Sequence, residues 1–155
     1  LPSLQQQVHK SIHVTMQGKE SPLAHPGTEQ ALVAYLQNLP AAPALNVARK
    51  QNDVNAIAKG KAVFDKFQCK ACHPAPHFTS ASNYDVGIHD EHGMTDFNPP
   101  SLVGISQRQR FFHDNRALRL SDVFTVFRHP YTGKDSSPTL SKEDVHDLIE
   151  YLNSL

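Results

Sequence analysis

The sequence has few members of several residue types, and these shortages exclude whole classes of protein. Its 155 residues include two cysteines, two methionines and no tryptophan. Two thiols are too few for an iron–sulfur cluster or a four-cysteine zinc site. No apolar run approaches the roughly 20 residues of a transmembrane helix. Fifteen basic and fifteen acidic residues give a formal net charge of zero, which argues against a nucleic-acid-binding surface or a polybasic membrane patch.

Both cysteines lie in one motif, Cys69-Lys70-Ala71-Cys72-His73. This C-x-x-C-H pattern is typical of covalent haem c attachment. The spacing lets the two thiols form thioethers with the vinyl groups of one porphyrin, and His73 then becomes the proximal iron ligand. A structural disulfide or a partial zinc site remains an alternative, but neither requires a histidine directly after the second cysteine. A thioredoxin-like dithiol would need a βαβ setting, which the sequence does not indicate.

A covalent haem also has consequences for composition and location. Hydrophobic residues make up 39% of the chain, which is low for a domain of this size, and a buried porphyrin would supply the missing apolar contacts. Attachment of haem c takes place outside the bacterial cytoplasm, so we expect a periplasmic or other extracytoplasmic location. Because the first ten residues lack the apolar core of a signal peptide, we expect a processed chain or part of a longer one.

Hydrophobic periodicity predicts a mainly helical protein. Apolar residues recur with helical spacing in five segments: Leu4–His13, Thr28–Leu39, Val54–Phe67, Leu120–Arg128 and a last helix opened by Ser141. Thr28 is the predicted N-cap of the second helix, and Gly60 in the third would let another helix approach closely. The Ala/Pro/Asn run up to Asn52 is expected to be a linker.

The two ends of the chain resemble each other. Residues 4–39 align without a gap on residues 120–155, so that Leu4 matches Leu120 and His13 matches His129. We therefore predict two domains. Residues 1–52 would be the tail of a preceding cytochrome c-like unit with a linker, and residues 53–155 would be a haem domain. The first unit's own haem motif would then lie upstream, in a larger multi-haem protein.

From Gly60 onward the sequence resembles the second domain of the di-haem cytochrome c peroxidase/MauG family. The matching pieces are GKAVF before CKACH, then HFTSASNYDVG, FNPPSLVGI, RFFHDN, RLSDVF and LSKEDVHDLIEYLNSL. The resemblance implies an all-α, class I cytochrome c-like fold. Typical members have Thr where Pro100 stands and Gly where Asn115 stands; asparagine tolerates a positive φ better than most residues. Family members reduce peroxide or oxidise a protein-bound substrate, usually with two haems.

The sixth iron ligand decides the chemistry, since methionine raises the potential, histidine lowers it, and an open site admits peroxide. Similar proteins place this ligand just past the helix that ends near His129, so His129 is the first choice. Met94, in a loop flanked by glycine, is the alternative. His113, with Asp114 orienting its ring, is expected to be structural, and Tyr131 to pack. A carbonyl of Pro74, Pro76 or a nearby residue should accept the His73 N–H.

The aromatic and apolar residues near these motifs are candidates for the haem walls. They are Phe78, Pro99, Leu102, Phe111 and Phe112. The function predicted from the whole pattern is single-electron transfer by one haem c to a neighbouring haem domain or a redox partner protein. The alternatives are a peroxidase-type unit with an open or displaceable distal site, and a structural or gas-sensing haem. No paired carboxylates, nucleophile elbow or phosphate loop indicates another enzyme class.

Overall fold

The structure is a computed structural model that describes residues 3–16, 25–131 and 138–155. The chain divides into two units, Leu1–Ala41 and Ala42–Leu155. Among the described residues, no helix combines the length and the apolar character required to cross a membrane.

The first unit contains a pair of helices. Helix α1 (Leu4–Lys10) begins with a capping box, in which the Ser3 hydroxyl accepts the Gln6 N–H and the Gln6 side chain accepts the Ser3 N–H. It continues into one π-helical turn, Ser11–Thr15. Helix α2 (Thr28–Gln37) follows Gly27, which has a φ of 87° and is the N-cap in place of the predicted Thr28. The sequence predicts a turn from Gly18 to Gly27 between these helices, and most of it lies outside the described residues.

The second unit carries most of the secondary structure, and its helices largely match the prediction. They are α3 (Leu45–Ala48), α4 (Val54–Lys66), α5 (Leu120–Thr125) and α6 (Lys142–Asn153). Single 3₁₀ turns cover Cys69–Ala71 and Ile105–Gln107. Helix α5 ends three residues before the predicted Arg128. The sequence predicts a long irregular loop from Pro74 to Pro100. In the structure this loop contains two short antiparallel strands, β1 (Tyr84–Asp85) and β2 (Asp96–Phe97).

The segment predicted as a linker makes specific contacts within the second unit. Leu45–Ala48 forms a helical turn, and the Leu45 N–H donates to the Ser106 hydroxyl. The Gln107 side chain donates to the Pro43 carbonyl. A Cβ atom at Gly104, where φ is 70°, would lie 2.5 Å from the Ala42 Cβ. Residues 42–52 therefore belong to the packing of the second unit.

Helices α4 and α6 cross at Gly60. A Cβ atom at this position would lie 1.9 Å from the Asp147 carbonyl oxygen, a backbone atom that cannot rotate away. The close approach predicted from Gly60 is therefore observed. It brings the Phe64 and Tyr151 rings to 5.4 Å in an edge-to-face arrangement, and Leu148 and Leu152 are buried in the same core. One side of this core is open to a cavity.

Candidate functional site

A cavity of about 630 Å³ lies in the second unit. This volume is within the about 300–1,000 Å³ typical of small-molecule sites. Cys69, Cys72, His73 and His129 all line it. The remaining wall is mainly apolar and includes the buried residues Phe64, Phe67, Ile88, Leu102, Val123, Leu148 and Leu152.

The cysteine motif begins where α4 ends. Gln68 adopts a left-handed conformation with a φ of 57°, and the chain then turns through the 3₁₀ segment Cys69–Ala71. The His73 N–H donates to the Cys69 carbonyl at 3.0 Å, which closes the turn. Both thiols are free. Burial raises the pKa of Cys69 to about 11 and also raises that of Cys72. The turn thus places both thiols at the cavity wall beside His73.

His73 is buried and oriented by the main chain. Its Nδ1 lies 2.9 Å from the Phe78 carbonyl oxygen, which can only accept, so Nδ1 carries the proton and Nε2 keeps a lone pair. Burial lowers the pKa of His73, which favours the neutral, ligating form. The acceptor is thus Phe78, one of the nearby residues that the prediction included besides Pro74 and Pro76. Phe78 has a φ of 49°, and its carbonyl also accepts the Leu102 N–H.

His129 is the second histidine of the cavity wall. It follows α5, and its N–H donates to the Val123 carbonyl at 3.0 Å. Its ring meets the Phe112 ring edge-on with centroids 6.0 Å apart. The Nδ1 atom is buried and has no hydrogen-bond partner among the described residues. Burial, with a smaller contribution from the nearby His73, lowers the pKa of His129 to about 4. A buried polar nitrogen normally has a partner, so an orphaned neutral imidazole fits a metal ligand.

The structure does not bring Met94 to this cavity. The Asp90 carboxylate accepts the N–H groups of His92 and Met94, and the Asp90 N–H donates to the Met94 carbonyl. This tight turn leaves the Met94 side chain 56% exposed, and Met94 is not among the residues that line the cavity. The local hydrogen bonds of Asp90 thus hold Met94, the alternative ligand, away from the cavity.

Four of the five predicted wall residues line the cavity, and the fifth lies beside it. Pro99, Leu102, Phe111 and Phe112 line the cavity. Phe78 does not; its ring lies edge-on to Phe64, with centroids 6.1 Å apart, and its contribution to the site is the carbonyl beside His73.

Further sequence expectations concern the loop 111–117 and Tyr131. His113 lines the cavity and stacks on Phe97 with ring centroids 4.1 Å apart. The prediction that Asp114 orients His113 is wrong, because its carboxylate accepts from the Arg116 guanidinium instead. Asn115 has a φ of 61°, so asparagine takes the left-handed conformation for which similar proteins use glycine. Tyr131 lines the cavity and packs against the core.

Sequence reasoning did not identify several wall residues. Val123, Leu148 and Leu152 line the cavity from α5 and α6. Their helical spacing predicts that they lie on the apolar faces of their helices. Whether such a face packs against protein or lines a cavity depends on the tertiary arrangement. Arg108, Arg110 and Arg128 also lie at the wall, and these cations suit the two propionate carboxylates of a haem.

The chain is similar to known proteins in sequence and in fold. The family model described as cytochrome c matches residues 57–155. Hydrazine synthase from Kuenenia stuttgartiensis, solved under xenon pressure, shares 22% identity and a TM-score of 0.62 over 84% of this chain. A MauG-like protein associated with microbial copper homeostasis shares 14% identity and a TM-score of 0.74 over the whole chain. The chain spans 56% and 66% of these two structures. No curated protein matches.

Proposed function

Because this chain belongs to the cytochrome c family, which carries covalent haem c, we propose that it transfers single electrons through one haem bound in the cavity of the second unit. The observation that carries the proposal is the meeting of both thiols, His73 and His129 at one largely apolar cavity. The confirmed fold agrees, since both similar structures share it at low identity. These results confirm the predicted haem c cofactor and the cytochrome c-like helical fold.

The residues of the cavity have separable roles. Cys69 and Cys72 would hold the haem through thioethers, and His73 would be the proximal ligand. The bound haem iron supplies a one-electron couple between its ferric and ferrous forms. The Phe78 carbonyl holds the proton on His73 Nδ1 and so makes the ring a stronger donor. The largely apolar wall would surround the porphyrin and shield it from water.

We assign His129 as the sixth ligand. The orphaned Nδ1, the neutral ring and the shared cavity with His73 support this assignment. Two imidazole ligands would produce a low-spin iron with a lower potential than a methionine–histidine pair. Such a site has no open position, which suits electron transfer.

A peroxidase-type unit is the second candidate. The fold shared with a MauG-like protein favours it, as does the presence of Tyr131 and His113 at the same cavity wall, where they could act on a bound peroxide. This function would require His129 to leave the sixth position. The first candidate does not.

We further propose that the chain works outside the cytoplasm as part of a larger multi-haem redox protein. Covalent attachment of haem c supports the location, and the incomplete coverage of both similar structures supports the size. A neighbouring haem domain or a redox protein would be the electron partner. In this proposal the first unit is the end of a preceding cytochrome c-like unit, because α1 and α2 align with α5 and α6.

Ligand variants of the haem-loaded chain test the assignment. His129→Ala should convert the ferric spectrum from low-spin to high-spin and permit rapid CO binding to the reduced form, because the sixth position opens. Met94→Ala is the matched control and should leave the spectrum unchanged. Optical absorption and electron paramagnetic resonance report both states. If His129→Ala keeps a low-spin spectrum, His129 is not the ligand.

Peroxide separates the two candidate functions. An electron-transfer unit should show no fast reaction of the unmodified ferrous or ferric chain with hydrogen peroxide in stopped-flow absorption, and should exchange electrons with small redox mediators. A peroxidase unit should react with peroxide before any substitution is made. A rapid peroxide reaction of the unmodified chain would therefore overturn the electron-transfer proposal.

A further inference from the structure

The first unit contains a cluster of three ligating side chains. His9 Nδ1 lies 3.1 Å from Glu29 Oε1, and His13 Nε2 lies 2.7 Å from the same oxygen. All three ligand atoms lie within 4.8 Å of one another. Among the residues that the structure describes, this is the group in which three such side chains converge. It lies in a different unit from the haem cavity.

The helices explain how the cluster forms. His9 and His13 are four residues apart, so they lie on one face across successive turns. The turn that carries His13 is π-helical, with the Met16 N–H donating to the Ser11 carbonyl; such turns are frequent at functional sites. The two ring centroids are only 4.5 Å apart. Glu29 comes from the first turn of α2 and completes the set.

We propose that His9, His13 and Glu29 bind a divalent transition-metal ion, with Zn²⁺ as the ion that best fits these ligands. Two imidazole nitrogens and one carboxylate oxygen form a known zinc donor set, with a fourth position left for water. Zinc bonds of about 2.0–2.2 Å place tetrahedral ligands roughly 3.3 Å apart. The observed separations of 3.1 and 2.7 Å would need to widen by about 0.2 and 0.6 Å to reach this spacing.

The cluster is also accessible to solvent, and its Glu29 carboxylate is ionised. The His9, His13 and Glu29 side chains are 62%, 29% and 22% exposed, so an ion can enter from solvent. Hydrogen bonds from the two histidines lower the pKa of Glu29, which keeps the carboxylate charged at neutral pH. A metal ion would replace the protons that now join these three groups.

Comparison with the second unit separates this cluster from a haem pocket. In the alignment of residues 4–39 on 120–155, His13 matches His129, but His9 matches Thr125 and Glu29 matches Val145. Thr125 and Val145 line the haem cavity. The first unit therefore has a second imidazole and a carboxylate at positions where the haem unit has an alcohol and an alkyl side chain. With His9 and Glu29 at these two positions, the histidine shared by both units, His13, becomes part of a set of three potential ligands.

Zinc binding by the haem-loaded chain tests the proposal. In that form the cysteines are thioethers and His73 and His129 are engaged by iron, so they do not compete. We expect one zinc ion per chain by elemental analysis after dialysis at neutral pH, and a single binding step by titration calorimetry. His9→Ala, His13→Ala and Glu29→Gln should each weaken binding by about tenfold or more, since losing even an outer partner of a ligand costs about 10–100-fold.

Matched controls use other histidines that lie beside a carboxylate. His92 lies 3.6 Å from Glu91, and His146 lies 3.1 Å from Asp147; neither pair belongs to a three-ligand group among the described residues. His92→Ala and His146→Ala should bind zinc as the unmodified chain does. Glu29→Asp, which keeps the carboxylate, should retain more affinity than Glu29→Gln.

The outcome is decided by zinc binding together with folding. Far-ultraviolet circular dichroism shows whether each variant keeps its helices, and the haem spectrum should be unchanged in all of them. If the unmodified chain retains no zinc, or if folded Glu29→Gln and His9→Ala bind it with unchanged affinity, the three groups form only a hydrogen-bonded cluster and the proposal is wrong.

Discussion

The helix pairs of the two units, α1–α2 and α5–α6, share a sequence pattern but differ in burial. Leu36 and Leu152 occupy equivalent positions, yet Leu36 is 37% exposed and Leu152 is 3% exposed. Tyr35 is 63% exposed, whereas its equivalent Tyr151 is 8% exposed because the Phe64 ring and α4 pack against it. The comparison shows that an amphipathic stripe does not by itself determine burial. Contacts from distant parts of the sequence decide it.

The starts of the first helices are alike in the two units, and the starts of the second helices differ. At the equivalent first helices, the Gln6 side chain accepts the Ser3 N–H and the Asp122 carboxylate accepts the Arg119 N–H. The second helices differ, because α6 begins with a Ser141/Asp144 capping box whereas α2 begins after Gly27 without a side-chain cap. Helix α6 therefore has both a side-chain cap and buried apolar residues, whereas its counterpart α2 has neither.

The largest expected effect comes from removing the two cysteines of the second unit, which have no counterpart in the first unit. The double variant Cys69→Ala/Cys72→Ala should lose all covalently bound haem, because no other thiol exists in the chain. Polypeptide mass and extraction with acidified organic solvent measure this directly. Lys70→Ala, between the two cysteines, is the control and should keep the haem mass. Retention of that mass in the double variant would contradict the attachment site.

A smaller effect is expected from truncating equivalent leucines. Leu152→Ala should lower the free energy of unfolding of the second unit by about 2–5 kcal/mol, since it empties a buried position of the core and of the cavity wall. Leu36→Ala should cost clearly less, because that side chain is already more than one-third exposed. Denaturant unfolding monitored by circular dichroism compares the two variants. Equal costs would show that burial in the two units does not differ as described.

The smallest effect concerns acid stability at the start of α6. The Ser141 hydroxyl, which hydrogen-bonds the carboxylate, together with the Ser141 N–H, lowers the pKa of Asp144 in the folded chain. Its stabilising contribution is therefore present at neutral pH and is lost as the pH falls through that lowered value. Asp144→Asn should flatten the acid side of the stability curve.

Chemical unfolding at a series of acidic pH values measures the Asp144 effect. Glu143→Gln, which removes the neighbouring charge outside the Ser141 capping box, is the control and should leave more of the pH dependence. An unchanged acid slope in Asp144→Asn would contradict this account of the cap.

The sequence predicted the parts of the site that are encoded locally. The motif from Cys69 to His73 carries its chemistry in its spacing, and single residues signalled the start of the last helix at Ser141 and the close approach at Gly60. The position of Met94 could not be predicted, because it depends on the hydrogen bonds that Asp90 makes in a loop. The Phe78 carbonyl could not be assigned either, since backbone orientation is set by tertiary packing. The His9–His13–Glu29 cluster joins two helices, although the four-residue histidine spacing was a visible signal.

The group that fixes the His73 tautomer belongs to the main chain. A carbonyl is present whatever side chain residue 78 carries, so substitution at that position cannot delete the acceptor. Only a displacement of the backbone can weaken it, and the same oxygen is held by the Leu102 N–H. In the proposed haem site, the electron-donating strength of the His73 imidazole would therefore be coupled to the position of the loop around Leu102. Small shifts of that loop would then adjust the iron potential without any change in the residues that bind the haem.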